Sequence, residues 1–264
     1  MATTYHPIED VTKEMNTEGL KVYQELVGIL CWAVEIGRVD ILLKVSLLSS
    51  RLAFLRVGHL QAVYRVFGYL KQVPKRKLYF DPRKPIISED RFQKFDWEYF
   101  YPNACEPIPL DMPIPRGKYM LTHCFVDVNN TWDKTTRRSM TGILIFCNRD
   151  PIIWHRKIQN GVETSTFGSE FTAMKNSVEP IAALQYKLRI FGVPIDRYTD
   201  IFCDNEAVYK NASTPESQLR KKHHSISYHM SREVVSSGAY RMEKEDTETN
   251  LSYIFTKVLP RPRR

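Results

Sequence analysis

Seven prolines between residues 81 and 117 restrict the fold of this chain more than any other feature of its sequence. Proline has no backbone N–H and fixes its own φ, so a segment this rich in proline excludes a continuous helix and a central strand. The chain has 264 residues, which is long enough for two domains of ordinary size. We therefore predict that residues 81–117, the proline-rich segment, form a surface linker between two domains.

The sequence before this segment is typical of a small helical subdomain. After a polar leader, apolar residues recur at four-residue steps from Val22 to Val34, which predicts an amphipathic helix over residues 19–38. Trp32 is expected in the core of this part. Two further helices and a short strand follow, which we predict over residues 40–50, 58–70 and 77–82.

The sequence after this segment is typical of a mixed sheet with helices packed on it. Strands are predicted over residues 122–128, 141–147, 152–155, 201–203 and 239–243. Helices are predicted over residues 168–191, where Pro180 is expected to introduce a kink, and over residues 225–236. This order of elements predicts an α/β fold.

Composition and charge are typical of a globular protein that binds polyanions. Hydrophobic residues make up 43% of the chain, enough for real cores, and the net charge of +8 favours polyanionic partners. Two basic runs are candidate nucleic-acid contacts, although such runs are equally typical of a solvated surface: Lys75, Arg76, Lys77 and Arg220, Lys221, Lys222. Five scattered cysteines predict no disulfide framework, and we see no signal peptide or membrane span. We therefore predict an intracellular protein, cytoplasmic or nuclear.

Three acidic residues stand where an α/β sheet gathers functional groups. Asp127 lies near the end of the first strand, Glu170 near the start of the long helix, and Asp204 directly after the strand at 201–203. The carboxyl ends of strands meet at one edge of such a sheet, so these side chains can converge. Carboxylate clusters bind Mg²⁺ or Mn²⁺, and two such ions can activate a water against a phosphodiester. The alternative, three scattered members of the chain's 30 acidic residues, stays open at this point.

Short motifs, in order along the chain, resemble the ribonuclease H region of copia-type retrotransposon Pol polyproteins. They are Phe125-Val126-Asp127, residues 133–142, 151–154 and 164–173, Cys203-Asp204-Asn205, Lys222-His223, Tyr228-His229, Arg232-Glu233 and Ile254-Phe255-Thr256-Lys257. Upstream, residues 23–28, 37–41 and 45–49 resemble the region after the polymerase palm. The resemblance covers nearly the whole chain. The chain has no paired-aspartate polymerase motif, so we expect no polymerase active site.

The resemblance implies a ribonuclease H-like mixed five-stranded sheet with flanking helices, preceded by a small helical subdomain. It implies metal-dependent hydrolysis of the RNA strand of RNA–DNA hybrids during reverse transcription. Asp127, Glu170 and Asp204 match catalytic carboxylates that hold two Mg²⁺ (or Mn²⁺) ions. The fourth carboxylate position is Tyr253, which is uncharged at neutral pH and a poor metal ligand, so impaired hydrolysis is expected. The implied partners are an RNA–DNA hybrid and the rest of the Pol polyprotein, and no membrane.

The implied domains are a helical remnant of the reverse transcriptase thumb or connection region (1–80), the proline-rich segment (81–117), the ribonuclease H-like domain (118–258) and a basic tail (259–264). Two departures from the family pattern are Trp132, at a position usually held by glycine and not expected to fit the backbone, and Asn129, which replaces a common aspartate. Two alternatives stay open. One is a catalytically inactive nucleic-acid-binding relic, and the other is an unselected fragment of a decayed retrotransposon.

Overall fold

The computed structural model describes residues 10–50, 54–219 and 224–257, with Asp196 and Arg197 described by their backbone alone. The chain divides into two compact units, Met1–Tyr79 and Phe80–Arg264, which we call the first and the second unit. No helix within the described ranges is long and apolar enough to cross a lipid bilayer.

The first unit is helical, as the sequence predicts. Its helices are α1 (Thr17–Glu35), α2 (Leu42–Ser49) and α3 (Val57–Gln72), with a 3₁₀ turn at Val39–Ile41. The Asn16 side chain caps α1 by accepting a hydrogen bond from the Gly19 backbone N–H at 2.9 Å. On the buried side of α1, the Tyr23 hydroxyl donates to the Leu48 carbonyl of α2 at 2.9 Å. This contact fixes the two helices against each other beyond their apolar packing.

Two expectations for this region are wrong. Trp32 is not in the core: it is 64% exposed, because it lies two residues from the buried Leu30 and therefore on the opposite side of α1. Residues 77–82 form no strand. A strand needs a partner for its backbone groups, and these residues pair with none of the described strands.

The second unit contains one mixed sheet. Its strands are β1 (Met120–Asn129), β2 (Met140–Cys147), β3 (Asp150–Ile158), β4 (Ile195–Cys203) and β5 (Tyr240–Lys244). Their order across the sheet is β3-β2-β1-β4-β5. β2 is antiparallel to β1 and β3, whereas β4 is parallel to both β1 and β5. This arrangement confirms the predicted fold class, a ribonuclease H-like mixed five-stranded sheet with flanking helices, preceded by a small helical subdomain.

The described part of the second unit has these α-helices beside the sheet: α4 (Thr166–Ile190), α5 (Glu206–Ser213), α6 (Ser225–Ser236) and α7 (Tyr253–Thr256). α4 continues through Pro180, and its apolar residues, including Phe171 and Met174, pack with Ile143 and Ile145 of β2 in the main core. α5 is missing from the sequence prediction, because eight residues are too few to show a helical period. All five cysteines are free thiols, in agreement with the prediction of no disulfide framework.

An aromatic layer covers the opposite face of the sheet. The His123 ring stacks on Phe146 with the ring centroids 4.8 Å apart, and Phe125 stacks on Phe202 at 5.1 Å. Phe92, from the proline-rich segment, lies 6.2 Å from Phe202. Both faces of the central strands are therefore covered, which explains why every residue of β2 is buried.

The proline-rich segment lies within the second unit, where it packs on the sheet and its helices. It follows an irregular path, with a 3₁₀ turn at Glu89–Arg91. The Glu106 carboxylate makes a bidentate ion pair with Arg189 of α4, at 2.5 and 3.0 Å. Trp97 and Tyr101 lie against the buried Arg232 guanidinium of α6, 4.9 and 5.8 Å from it to their ring centroids. Charged and aromatic side chains thus hold a segment that has no backbone ladder of its own.

Arg241 of β5 joins the proline-rich segment to the sheet. Its Nε donates to the fully buried Asp200 of β4 at 2.8 Å, and its Nη1 to Glu89 at 2.6 Å. The guanidinium also lies 3.8 Å from the Phe92 ring centroid. Burial raises the pKa of Asp200, and the Arg241 charge opposes that shift. The ionised form of this carboxylate therefore depends on Arg241.

We expect Arg241→Met to lower the free energy of unfolding by about 3–5 kcal/mol, because it leaves the Asp200 carboxylate buried without its cation. The matched control is Glu89→Gln, which removes the second partner of Arg241. The Glu89 side chain is 65% exposed, so this change is expected to cost about 1 kcal/mol or less. Urea unfolding followed by circular dichroism measures both. Equal losses for the two variants would contradict the dependence of Asp200 on Arg241.

His123 makes the stability of the second unit depend on pH in the acidic range. Burial lowers the pKa of His123 to about 4, so the folded protein holds the neutral ring. The unfolded chain binds this proton at a higher pH, and stability is therefore complete above about pH 6.5 and lost as the pH falls toward 4. Between neutral pH and pH 4, the free energy of unfolding is expected to fall by on the order of 3 kcal/mol less in His123→Leu than in the unsubstituted chain. Urea unfolding at pH 7 and pH 4.5 checks this, and parallel losses in both proteins would contradict it.

Candidate metal centre

Three acidic side chains meet at one edge of the sheet. Asp127 is near the C-terminal end of β1, Asp204 directly follows β4, and Glu170 is in the N-terminal part of α4. The parallel pairing of β1 and β4 sets Val126 opposite Cys203, so the two aspartates that follow lie side by side. One carboxylate oxygen from each of the three residues lies within 4.8 Å of the others. The predicted convergence is therefore present, and we call this group the carboxylate cluster.

The short helix α7 lies directly beside the cluster. Gly142 of β2 is the register partner of Asp127, and a Cβ atom at Gly142 would come within 2.8 Å of the Thr256 Cγ2. Only a glycine permits this approach of helix and strand. Asn129 secures it by donating from its Nδ2 to the Thr256 carbonyl at 3.0 Å. An aspartate at this position has no such donor, which gives the replacement by Asn129 a structural role.

Trp132 also fits, contrary to expectation. The positive φ of the turn is at Thr131, with a value of 48°, so Trp132 does not need the conformation that favours glycine. Its ring lies 4.7 Å from the buried Arg156 guanidinium of β3. Arg156 in turn donates from its Nε to the Phe255 carbonyl of α7 at 2.5 Å. Trp132 and Arg156 thus help to hold α7 on the sheet.

Asp127 is the most enclosed ligand candidate, with its side chain 1% exposed. The Thr256 hydroxyl donates to its Oδ2. Its Oδ1 has no hydrogen-bond partner among the described residues and lies 3.6 Å from Lys257 Nζ. Burial raises the pKa of Asp127, and the hydrogen bond from Thr256 and the charge of Lys257 oppose that shift.

Glu170 is buried as well, and its Oε2 has no hydrogen-bond partner within the described part of the chain. Burial first, and then the negative charges of Asp204 and Asp127, raise the pKa of Glu170 well above its usual range. Asp204 is half-buried, and its Oδ2 accepts a hydrogen bond from the Thr247 hydroxyl at 3.1 Å. The cluster therefore holds more potential negative charge than its hydrogen bonds and Lys257 offset.

This donor set fits a hard divalent cation. Mg²⁺ and Mn²⁺ take oxygen ligands, and a carboxylate oxygen buried without a partner is stabilised by such an ion. Asp127 Oδ1 and Glu170 Oε2 are two such oxygens on one cluster. The carboxylates of Asp246 and Glu248, in the loop before α7, are exposed and do not belong to the group.

The other predicted site residues differ in where the structure places them. Tyr253 begins α7, and its ring centroid lies 4.1 Å from Lys257 Nζ, so it is close to the cluster. Lys75, Arg76 and Lys77 are exposed in the turn and irregular chain after α3 of the first unit. Arg220, Lys221 and Lys222 lie outside the described residues. Lys257 also lies at the cluster, a position that its place in the C-terminal motif does not predict.

No family model matches this chain. Over 239 residues, 90% of its length, it is 26% identical to the retrovirus-related Pol polyprotein from transposon RE1 of Arabidopsis thaliana and covers 14% of that protein. A stretch of the same length is 25% identical to the Pol polyprotein from transposon TNT 1-94 of Nicotiana tabacum and covers 15% of it. The chain thus spans about a seventh of the length of these relatives.

A solved structure of LC11-RNase H1 in complex with an RNA/DNA hybrid is similar to 49% of this chain and to 88% of its own length, with a TM-score of 0.40 and 10% identity. The fold itself follows from the strand order and directions described above. Across nine-tenths of its length, this chain is similar in sequence to copia-type retrovirus-related Pol polyproteins.

Proposed function

We propose that the second unit is a retroelement ribonuclease H-like domain. Its ancestral activity is the metal-dependent hydrolysis of the RNA strand of RNA–DNA hybrids during reverse transcription. The observation that carries this proposal is the carboxylate cluster, in which two buried oxygens have no hydrogen-bond partner among the described residues. The similarity to Pol polyproteins supports the same reading. The rest of such a polyprotein is the proposed partner.

In this proposal Asp127, Glu170 and Asp204 are the catalytic residues and hold two Mg²⁺ or Mn²⁺ ions. When bound, such ions supply an activated water and stabilise the oxygen that leaves the phosphodiester. The chain's own contribution is to fix the three carboxylates, through the pairing of β1 with β4 and the packing of α4 on β1 and β4. Thr256 orients Asp127 by donating to one of its oxygens and leaves the other oxygen for a cation.

Tyr253 is the proposed lesion in this centre. It stands where the family resemblance places the fourth carboxylate, and its side chain brings no negative charge at neutral pH. The remaining three carboxylates therefore bind two divalent ions less strongly than four would. We infer that hydrolysis by this chain is impaired, and that restoring an acidic side chain at this position improves it.

An RNA–DNA hybrid is the proposed substrate. The net charge of +8 favours a polyanion, and the basic runs Lys75–Lys77 and Arg220–Lys222 offer groups for phosphates. LC11-RNase H1, whose structure is similar to about half of this chain, was solved in complex with an RNA/DNA hybrid.

The test is cleavage of a hybrid labelled on its RNA strand, in Mg²⁺ and in Mn²⁺. We expect Tyr253→Asp to raise the cleavage rate by about a hundredfold or more, because metal ions supply several kcal/mol of transition-state stabilisation. The matched control is Tyr253→Phe, which changes the same ring without adding a carboxylate and is expected to leave the rate unchanged. Adding Asp127→Asn to Tyr253→Asp is expected to abolish the gain. Equal rates for Tyr253→Asp and Tyr253→Phe would refute the role given to this position.

The contact of Lys257 with Asp127 favours a second candidate, a catalytically inactive domain that still binds nucleic acid. A cation already present in the cluster lowers the need for a metal. For this relic we expect binding of the hybrid that is unchanged by EDTA and falls steeply as salt rises, because the affinity comes from counterion release. Fluorescence anisotropy with a labelled hybrid measures both responses. A fragment that does not fold on its own would instead show a broad thermal transition without cooperativity.

A further inference from the structure

The ammonium group of Lys257 lies beside the carboxylate cluster. Its Nζ lies 3.6 Å from Asp127 Oδ1, the same oxygen that has no hydrogen-bond partner in the described chain. The Lys257 side chain is 31% exposed, whereas that of Asp127 is 1% exposed. A flexible side chain therefore brings a positive charge from the surface to an enclosed carboxylate.

The ring of Tyr253 holds this ammonium group in place. The Nζ atom of Lys257 lies 4.1 Å from the Tyr253 ring centroid, a distance typical of a cation–π contact. Tyr253 is the first residue of α7 and Lys257 directly follows its last residue, so one helical turn separates the two and brings their side chains together. The ring attracts the ammonium group but offers no carboxylate oxygen to a metal. The Lys257 ammonium group thus contacts both the Tyr253 ring and the Asp127 carboxylate.

We propose that Lys257 is a built-in cation of the carboxylate cluster, positioned by Tyr253, and that it competes with a divalent metal for Asp127. The two cations need the same oxygen, and their like charges repel each other. A metal therefore binds only when the ammonium group moves toward solvent, away from the Tyr253 ring. This inference rests on the proposed function, because it takes the cluster to be a site for a divalent metal.

The direct test is a titration of the metal-free full-length chain with Mn²⁺, in which electron paramagnetic resonance reports the free ion and no substrate is present. We expect Lys257→Met to lower the Kd for Mn²⁺ by about tenfold or more, since it removes a unit charge a few ångströms from a ligand oxygen. Lys257→Arg keeps the charge and is expected to stay within about threefold of the unsubstituted chain. The matched control is Lys187→Met, about 25 Å along α4 from Glu170, and it is expected to change nothing.

A second variant keeps the inference testable if Lys257→Met does not fold, which a thermal melt reveals. Tyr253→Leu leaves the ammonium group without its aromatic contact and is expected to lower the Kd for Mn²⁺ severalfold. Such a gain is not expected from a residue that only supports the fold, because loss of packing weakens a site.

The outcomes separate this inference from the proposed function. If the unsubstituted chain binds Mn²⁺, Asp127→Asn abolishes that binding, and Lys257→Met and Tyr253→Leu leave the Kd unchanged, the metal site stands and the competition is refuted. If no variant binds Mn²⁺ at millimolar concentration, both the metal site and the competition are refuted. If Lys257→Met and Lys257→Arg tighten binding equally, the charge of Lys257 is not the cause and the inference is wrong.

Discussion

Three carboxylates in one enclosed space repel one another, and burial removes the water that would otherwise screen them. The second unit can keep Asp127, Glu170 and Asp204 together only if positive charge or protons offset that repulsion. Among the described residues, the Lys257 ammonium group supplies such a charge at Asp127. Burial and the charges of Asp204 and Asp127 raise the pKa of Glu170 well above its usual range, which favours its protonated form. The packing of β1, β4 and α4 around the cluster therefore depends on how the charge of the three carboxylates is offset.

The docking of α7 decides which positive charge the cluster receives. This helix is a single turn, too short to be stable alone, and the sheet holds it through Asn129 and Arg156, which both donate to its backbone carbonyls. The missing side chain of Gly142 lets it lie close to β2. As a result, two residues of the chain's C-terminal motif, Thr256 and Lys257, are neighbours of Asp127.

The sequence was sufficient to predict the helices of the first unit and the mixed sheet, because these depend on periodicity. Strand ends alone left the convergence of the three acids open, and the family resemblance was needed to predict it. It was not sufficient for Trp32, whose burial depends on the side of α1 that neighbours happen to cover. Trp132 also misled, since Thr131 rather than the tryptophan adopts the positive φ. The position of Lys257 was out of reach for a similar reason. It depends on packing between residues more than a hundred positions apart in the chain. No local sequence pattern predicts such packing.

The contacts of the proline-rich segment have a consequence for the order of folding. Glu106 and Arg189 are 83 positions apart in the chain, and Arg91 reaches Glu245 over 154 positions. Closing loops of this length costs chain entropy before any contact is gained, so we expect the segment to dock only after the sheet has formed. Interactions that form after the transition state mainly slow unfolding. We therefore expect the contacts of the segment to have little effect on the folding rate of the second unit and to lower its unfolding rate, which lengthens the lifetime of the folded state.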